Sequence, residues 1–272
     1  MITLPVLLEP STVNAHLTDP NLLLVDLCSA EHYAAGHIPG AVHLDPSRLL
    51  RGLGPVPNKL PTAEQLSTLF SELGLTPERQ VVAYDDQMGA LAGRLLWTLD
   101  IVGHRHSSVL NGQLRTWSEA GYPLQTQPCA PRPATFQACI DSSLIADMGY
   151  LLKHLGDRDI AIWDARSAAE YRGEKIINAR KGGHIPGAVN FEWTRSLVSP
   201  DDWRLLDPKH LKDQLISLGI SPDKEVITHC QTHRRSGLTY LVAKALGYPR
   251  IRCYDGSWFE WGNAPDTPAE ID

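Results

Sequence analysis

Apolar residues recur along this chain in two alternating rhythms. Runs such as LLLVDL (22–27), IAIWDAR (160–166) and the Val226–Ile227–Thr228 stretch are short, rich in β-branched or aliphatic residues and bounded by Gly, Pro or Asp, which predicts buried strands. Segments such as AEQLSTLFSELG (63–74) repeat apolar residues every three or four positions, as do Leu238, Leu241, Val242, Ala245 and Leu246, and these predict helices. Strands alternating with helices imply an α/β fold with a parallel sheet covered by helices on both faces.

The pattern occurs twice. GHIPGAV stands at 36–42 and again, unchanged, at 183–189. Upstream of each copy a strand ends in Asp, Asp26 or Asp164, followed by SAEHY or SAAEY. Downstream, LGLTPERQVVAYDD (73–86) matches LGISPDKEVITHCQ (218–231), and LNGQLRTW (110–117) matches CYDGSWFEW (253–261). The chain therefore reads as a tandem duplication. The expected domains are 1–122 and 144–272, joined by an extended, proline-rich linker over 123–143.

Length and composition agree with this division: 272 residues, 43% of them apolar, can bury two cores. The formal charge of −6, with Lys and Arg scattered, offers no basic face for nucleic acid. No apolar run approaches the roughly 20 residues that span a bilayer, and the first ten residues lack a signal peptide's charged start, so a cytoplasmic protein is expected. Five dispersed cysteines without a CxxC pair argue against a disulfide framework. Cys28, Cys129, Cys139 and Cys253 read as small buried hydrophobes.

Cys230 is different. In HCQTHRRSG (229–237) it closes a strand and opens a short loop before a helix, where free backbone N–H groups and the helix dipole favour an anion. Arg234, Arg235 and His233 add positive charge, so a nucleophilic thiolate is expected here. A metal site built on His229, Cys230 and His233 is disfavoured: no fourth ligand follows at a familiar spacing and two arginines repel a cation. His229 takes a structural role.

The ordered set of twin GHIPG motifs, Asp26 and Asp164 at strand ends, Cys230 before a helix and the closing DGSWFEW resembles the rhodanese superfamily, specifically its tandem-domain sulfurtransferases. The bacterial type whose active loop opens CQTH is most similar. The resemblance implies two rhodanese-like domains and a Cys230 persulfide, with thiosulfate as sulfur donor, cyanide or a thiol as acceptor and no cofactor. Aligning VVAYDD with EVITHC puts Asp85 where Cys230 stands, so the first domain is expected to be chemically silent, to wall an interdomain cleft, and to carry Asp85 as a solvated strand-end acid. Mercaptopyruvate-using relatives have a loop like CGSGVTA and an arginine where this chain has Glu170, which favours thiosulfate. Arg235 is the leading candidate for the donor, with Arg234 and His233 next. Asp164, Arg166, His37 and His184 are expected to fix loops and turns. A persulfide carrier serving a sulfur-acceptor protein is the alternative function. A cysteine phosphatase or arsenate reductase is disfavoured because their loops run C-x5-R, whereas Cys230 to Arg235 is C-x4-R.

Overall fold

The computed structural model describes residues 4–271. Its first half holds strands β1 (Leu7–Leu8), β2 (Leu22–Asp26), β3 (Val42–His43), β4 (Gln80–Tyr84) and β5 (Ser107–Leu110), in the spatial order β1-β5-β4-β2-β3. Helices α1 (Pro10–His16), α2 (Ala30–Ala35), α3 (Ala63–Leu73), α4 (Ala90–Ile101) and α5 (Gln113–Glu119) connect them. In the second half, β6 (Ile160–Asp164), β7 (Val189–Asn190), β10 (Glu225–His229) and β11 (Ile251–Cys253) form a sheet in the order β11-β10-β6-β7, while β8 (Leu197–Ser199) and β9 (Asp202–Leu205) make a separate antiparallel pair. Its helices are α6 (Met148–Lys153), α7 (Ala168–Tyr171), α8 (Pro208–Ser217), α9 (Arg235–Ala245) and α10 (Ser257–Trp261). Every pairing inside the two main sheets is parallel.

The duplication is visible in register. Asp26 pairs with Tyr84, and Asp164 pairs with His229, so in each half the strand-end acid lies beside the residue that precedes the loop of interest. The pairing of Leu8 with Leu110 is echoed by the isolated bridge of Ile145 to Cys253. Both GHIPG histidines stack on a tyrosine, His37 on Tyr33 at 3.8 Å and His184 on Tyr171 at 3.7 Å, within the turns expected of them.

Each half has its own apolar cluster on its outer sheet face, built around Trp117 in the first and around Trp258 and Trp261 in the second. The inner faces merge into one continuous cluster running from Leu95, Leu96 and Trp97 on α4 to Leu238, Leu241 and Val242 on α9. These helices touch backbone to backbone. A Cβ on Gly93 would sit 2.2 Å from the Gly237 carbonyl oxygen, and one on Gly237 would sit 2.4 Å from that of Ala90. Glycine inside a helix costs about 1 kcal/mol relative to alanine, and here it permits the approach that brings the two loops preceding α4 and α9 together.

Residues 123–141 form no helix or main-sheet strand. They are nevertheless tied down over α3: Ala134 N donates to Ser71 O at 2.9 Å and Ala138 N to Ser67 Oγ at 3.0 Å. This strap carries two of the cysteines expected to be buried. Cys129 is half-buried and Cys139 exposed, because the strap lies on the surface; Cys28 and Cys253, on or just after strands, are buried.

Candidate active site

β10 ends at His229, and the chain then turns through Cys230 and the four-residue loop 231–234 into α9. The β-branched run of β10 is buried between β6 and β11, so the strand delivers Cys230 to the C-terminal edge of a rigid sheet. Cys230 is only 1% exposed. Its amide donates to Ser257 Oγ at 3.3 Å, and Ser236 Oγ donates to its Sγ at 3.5 Å. Burial by itself raises the thiol pKa, but the Arg235 charge, the Ser236 hydroxyl and the Ser236 and Thr232 amides outweigh it, and the net shift is downward. Cys28 and Cys253 lack such a setting, and burial pushes both far up. The chain's chemistry thus separates Cys230 from its other buried thiols.

The first half contains an internal counterpart of this loop. Asp85, at the position matching Cys230, is 0% exposed and not the solvated acid expected from sequence. Its Oδ1 accepts from the amides of Gln87 (2.9 Å) and Gly89 (2.8 Å), its Oδ2 from those of Leu91 (2.8 Å) and Ala92 (2.9 Å). Burial outweighs these four donors and the net shift of its pKa is upward, but the geometry, four N–H donors converging on two oxygens, is that of an ionised carboxylate. The two loops share a left-handed residue, with φ of 56° at Met88 and 54° at the matching His233, and then diverge, Gly89 staying left-handed at φ 85° where Arg234 has φ −96°. Asp85 therefore marks where an anion sits in this kind of loop. Two of the matching amides, those of Thr232 and Ser236, bond the Cys230 sulfur.

The loop cations take different places. Arg234 is exposed at the rim, whereas Arg235 is 24% exposed and donates through Nη1 and Nη2 to Glu170 Oε2 and Oε1 at 2.6 and 2.8 Å. Glu170 is buried, caps α7 through a reciprocal exchange with Ser167, and therefore does not confront the cleft as a bare negative charge. Burial would raise its pKa, but Arg235 and Ser167 hold it below the ordinary carboxylate range. The guanidinium fork that sequence reasoning assigned to the donor is occupied by Glu170. His233, expected among the donor contacts, turns inward: it is 0% exposed, with Nδ1 2.6 Å from Ser236 Oγ and its ring edge-on to Trp97 at 4.5 Å. The positive φ at His233 is what sends the side chain under the loop instead of over it.

His229 and Asp164 lie behind the cysteine with Nε2 and Oδ2 3.6 Å apart, and Arg166 clasps Asp164 at 2.6 Å beneath the Trp258 ring. From the first half, the buried Arg94 on α4 donates to the carbonyls of Leu49 (3.0 Å) and Asn58 (3.2 Å) and reaches His233 O at 3.5 Å. Burial lowers its pKa to about 10, which leaves it charged at neutral pH. Asn58 and Leu60 also bond Asp255, next to α10. Sequence reasoning missed Arg94, because nothing in an apolar helix period announces that one face meets another domain's loop; Ser236 and Ser257 stood in quoted motifs without an assigned role.

A cleft of about 490 Å³ opens between the halves, walled by Leu27, Asp86 and Leu91 on one side and by Trp193, Thr232, Arg234 and Arg235 on the other. Such a space admits a small anion together with an acceptor molecule, and the buried sulfur lies behind its arginine-lined wall.

A profile of the rhodanese-like domain matches twice, over residues 9–120 and 147–264. The thiosulfate sulfurtransferase of Azotobacter vinelandii is 52% identical over 99% of this chain and 98% of its own length. That of Pseudomonas aeruginosa is 50% identical over 98% of each. Among solved structures, an anaerobic ergothioneine biosynthesis enzyme from Chlorobium limicola in complex with trimethyl histidine superposes with a TM-score of 0.88 at 25% identity, covering 98% of this chain and 70% of that one. With two matching domains and two such relatives spanning its length, the chain belongs to the rhodanese family.

Proposed function

We propose that the protein is a thiosulfate sulfurtransferase working through a persulfide on Cys230. The Cys230 thiolate attacks the outer sulfur of thiosulfate, the S–S bond breaks, and sulfite leaves with the bonding electron pair. The persulfide that remains rests among the loop amides, a preorganised site for sulfur-borne negative charge. Cyanide attacking the outer sulfur would leave as thiocyanate and restore the thiolate; a thiol acceptor, small or on a partner protein, would leave as its persulfide. The observation that carries this reading is the buried, acidified Cys230 in a loop whose twin already holds a carboxylate on four amides. Arg235 stabilises the thiolate, and exposed Arg234 meets the donor's sulfonate at the rim. Five free cysteines, one of them exposed, suit the reducing cytoplasm. Intact-mass measurement after mixing with thiosulfate tests the reading: one added sulfur atom per chain supports it, and an unchanged mass refutes it.

Donor choice follows from Glu170. Its bidentate hold on Arg235 leaves no spare fork for the carboxylate of a 2-oxo acid. Thiosulfate is expected to exceed mercaptopyruvate in kcat/KM by roughly tenfold or more, the scale of one charge-assisted contact. Side-by-side kinetics with equal values for both donors would contradict it.

In the first half, Asp85→Ala strands four amides that now have a carboxylate partner, two of them buried and two part-buried. An unfolding free energy about 2–4 kcal/mol lower is expected in urea, with most sulfur transfer retained by the folded protein. Loss of transfer without loss of stability would show that the first half takes part in the chemistry.

A further inference from the structure

Ser236 has one hydroxyl hydrogen and two claimants: Cys230 Sγ at 3.5 Å and His233 Nδ1 at 2.6 Å. Which of them receives it depends on the His233 tautomer. Burial and the nearby Arg94 charge keep the imidazole neutral, so only one ring nitrogen carries hydrogen. His233 Nε2 is sealed from solvent and meets no hydrogen-bond partner among the described residues. A hydrogen there would be a buried, unpaired donor, which is costly, whereas a hydrogen on Nδ1 is accepted by Ser236 Oγ. With its lone pair so engaged, the Ser236 oxygen turns its own hydrogen to the sulfur.

We propose that His233 is a positioning residue for the Cys230 sulfur anion: its Nδ1–H fixes the Ser236 hydroxyl as a donor to Cys230 Sγ. Three features of the fold support this arrangement. The positive φ of 54° at His233 brings the ring beneath the loop. The first half holds the ring there, through the edge-on contact of Trp97 and the reach of Arg94 to the His233 carbonyl. Finally, the silent loop shares the left-handed turn but lacks the pair, since Met88 (φ 56°) stands at the His233 position and Leu91 at that of Ser236. There the anion is a carboxylate served by amides alone. The sulfur-bearing loop, with a single soft atom in place of two carboxylate oxygens, has a hydroxyl donor added.

The inference rests on Cys230 as the sulfur-bearing group, but its tests need neither donor nor acceptor, so it can fail while sulfur transfer stands. Iodoacetamide alkylation is followed on the Cys230-containing peptide as a function of pH in Ser236→Ala, His233→Ala, the double variant and His233→Asn. Asn tolerates the left-handed backbone and offers an amide N–H near the Nδ1 position. Ser236→Ala and His233→Ala are each expected to slow alkylation at neutral pH roughly tenfold and to move its pH profile upward, with no further loss in the double variant. His233→Asn should recover most of the rate, which a role in packing against Trp97 alone would not allow. Additive losses, or a normal profile in folded His233→Ala, would overturn the proposal. Should His233→Ala fail to fold, ¹⁵N spectra of the unmodified protein decide: a hydrogen on Nδ1 upholds the proposal, and one on Nε2 overturns it.

Discussion

Cys230→Ser is expected to abolish the sulfur adduct and to reduce turnover by roughly 10⁴-fold or more, while the folded structure persists. The hydroxyl of serine is nearly the size of the thiol it replaces, so the loop amides and Ser236 keep a partner in the same place, and the bond of Ser257 to the residue 230 backbone amide is untouched. What is lost is the anion: an alcohol does not ionise in a setting that draws a thiol down only from its ordinary value of 9.0. Nor can oxygen hold a sulfane sulfur as cysteine does. The other thiols do not substitute, because Cys28 and Cys253 are buried with strongly raised pKa values, and the accessible Cys129 and Cys139 lie on the strap over α3. Intact-mass spectra with thiosulfate and a thermal melt check both halves of this expectation. An adduct persisting on Cys129 or Cys139, at the rate of the unmodified protein, would move the nucleophile to the strap.

The sequence made the architecture legible because its periodicities and its repeat describe the same object. Strand runs ending in Asp26 and Asp164, the two GHIPG turns and the strand-to-helix placement of Cys230 are all local patterns, set by residues near one another in the chain. What escaped was decided by long-range contact or by backbone sign. Asp85 looked like a surface acid, but its buried fate depends on the loop curling to present four amides. His233 looked like a cation facing substrate until one positive φ turned it inward, and burial keeps it neutral. Glu170 lies 65 residues before Arg235, so its ion pair could not be read from either segment, and its sign was taken as repulsion where the fold makes it a clamp. Arg94 belongs to the other domain altogether.

That clamp gives the second large effect. Arg235→Ala is expected to cost about 2–4 kcal/mol of stability and to lower kcat/KM roughly a hundredfold, for two separable reasons. The stability loss comes from Glu170, which is 2% exposed and would keep a charge without a partner; partial exposure of Arg235, at 24%, holds the cost below that of a fully buried pair. The activity loss comes from the thiolate, since Arg235 is the foremost influence drawing the Cys230 pKa down against burial. A second substitution distinguishes them. Glu170→Gln keeps the cap of α7, because glutamine can take the same reciprocal bonds with Ser167, but removes the stranded charge. The double variant Arg235→Ala/Glu170→Gln should therefore regain most stability in urea yet remain slow. The pH dependence separates the two contributions further. In the unmodified protein Glu170 is held below its ordinary 4.5, so its contribution is complete above that value and is lost as pH falls through the lower folded value. In Arg235→Ala the unpaired, buried carboxyl prefers its proton, so its penalty shrinks on acidification and the stability gap between the two proteins should narrow from pH 7 towards pH 4. Arg234→Ala, exposed and without a buried partner to strand, should change stability little and weaken thiosulfate binding only modestly, less so at high salt. If Arg234→Ala instead proves the slower enzyme and Arg235→Ala alkylates at Cys230 normally, the charge that acidifies the thiol lies at the rim and the Glu170–Arg235 pair serves stability alone.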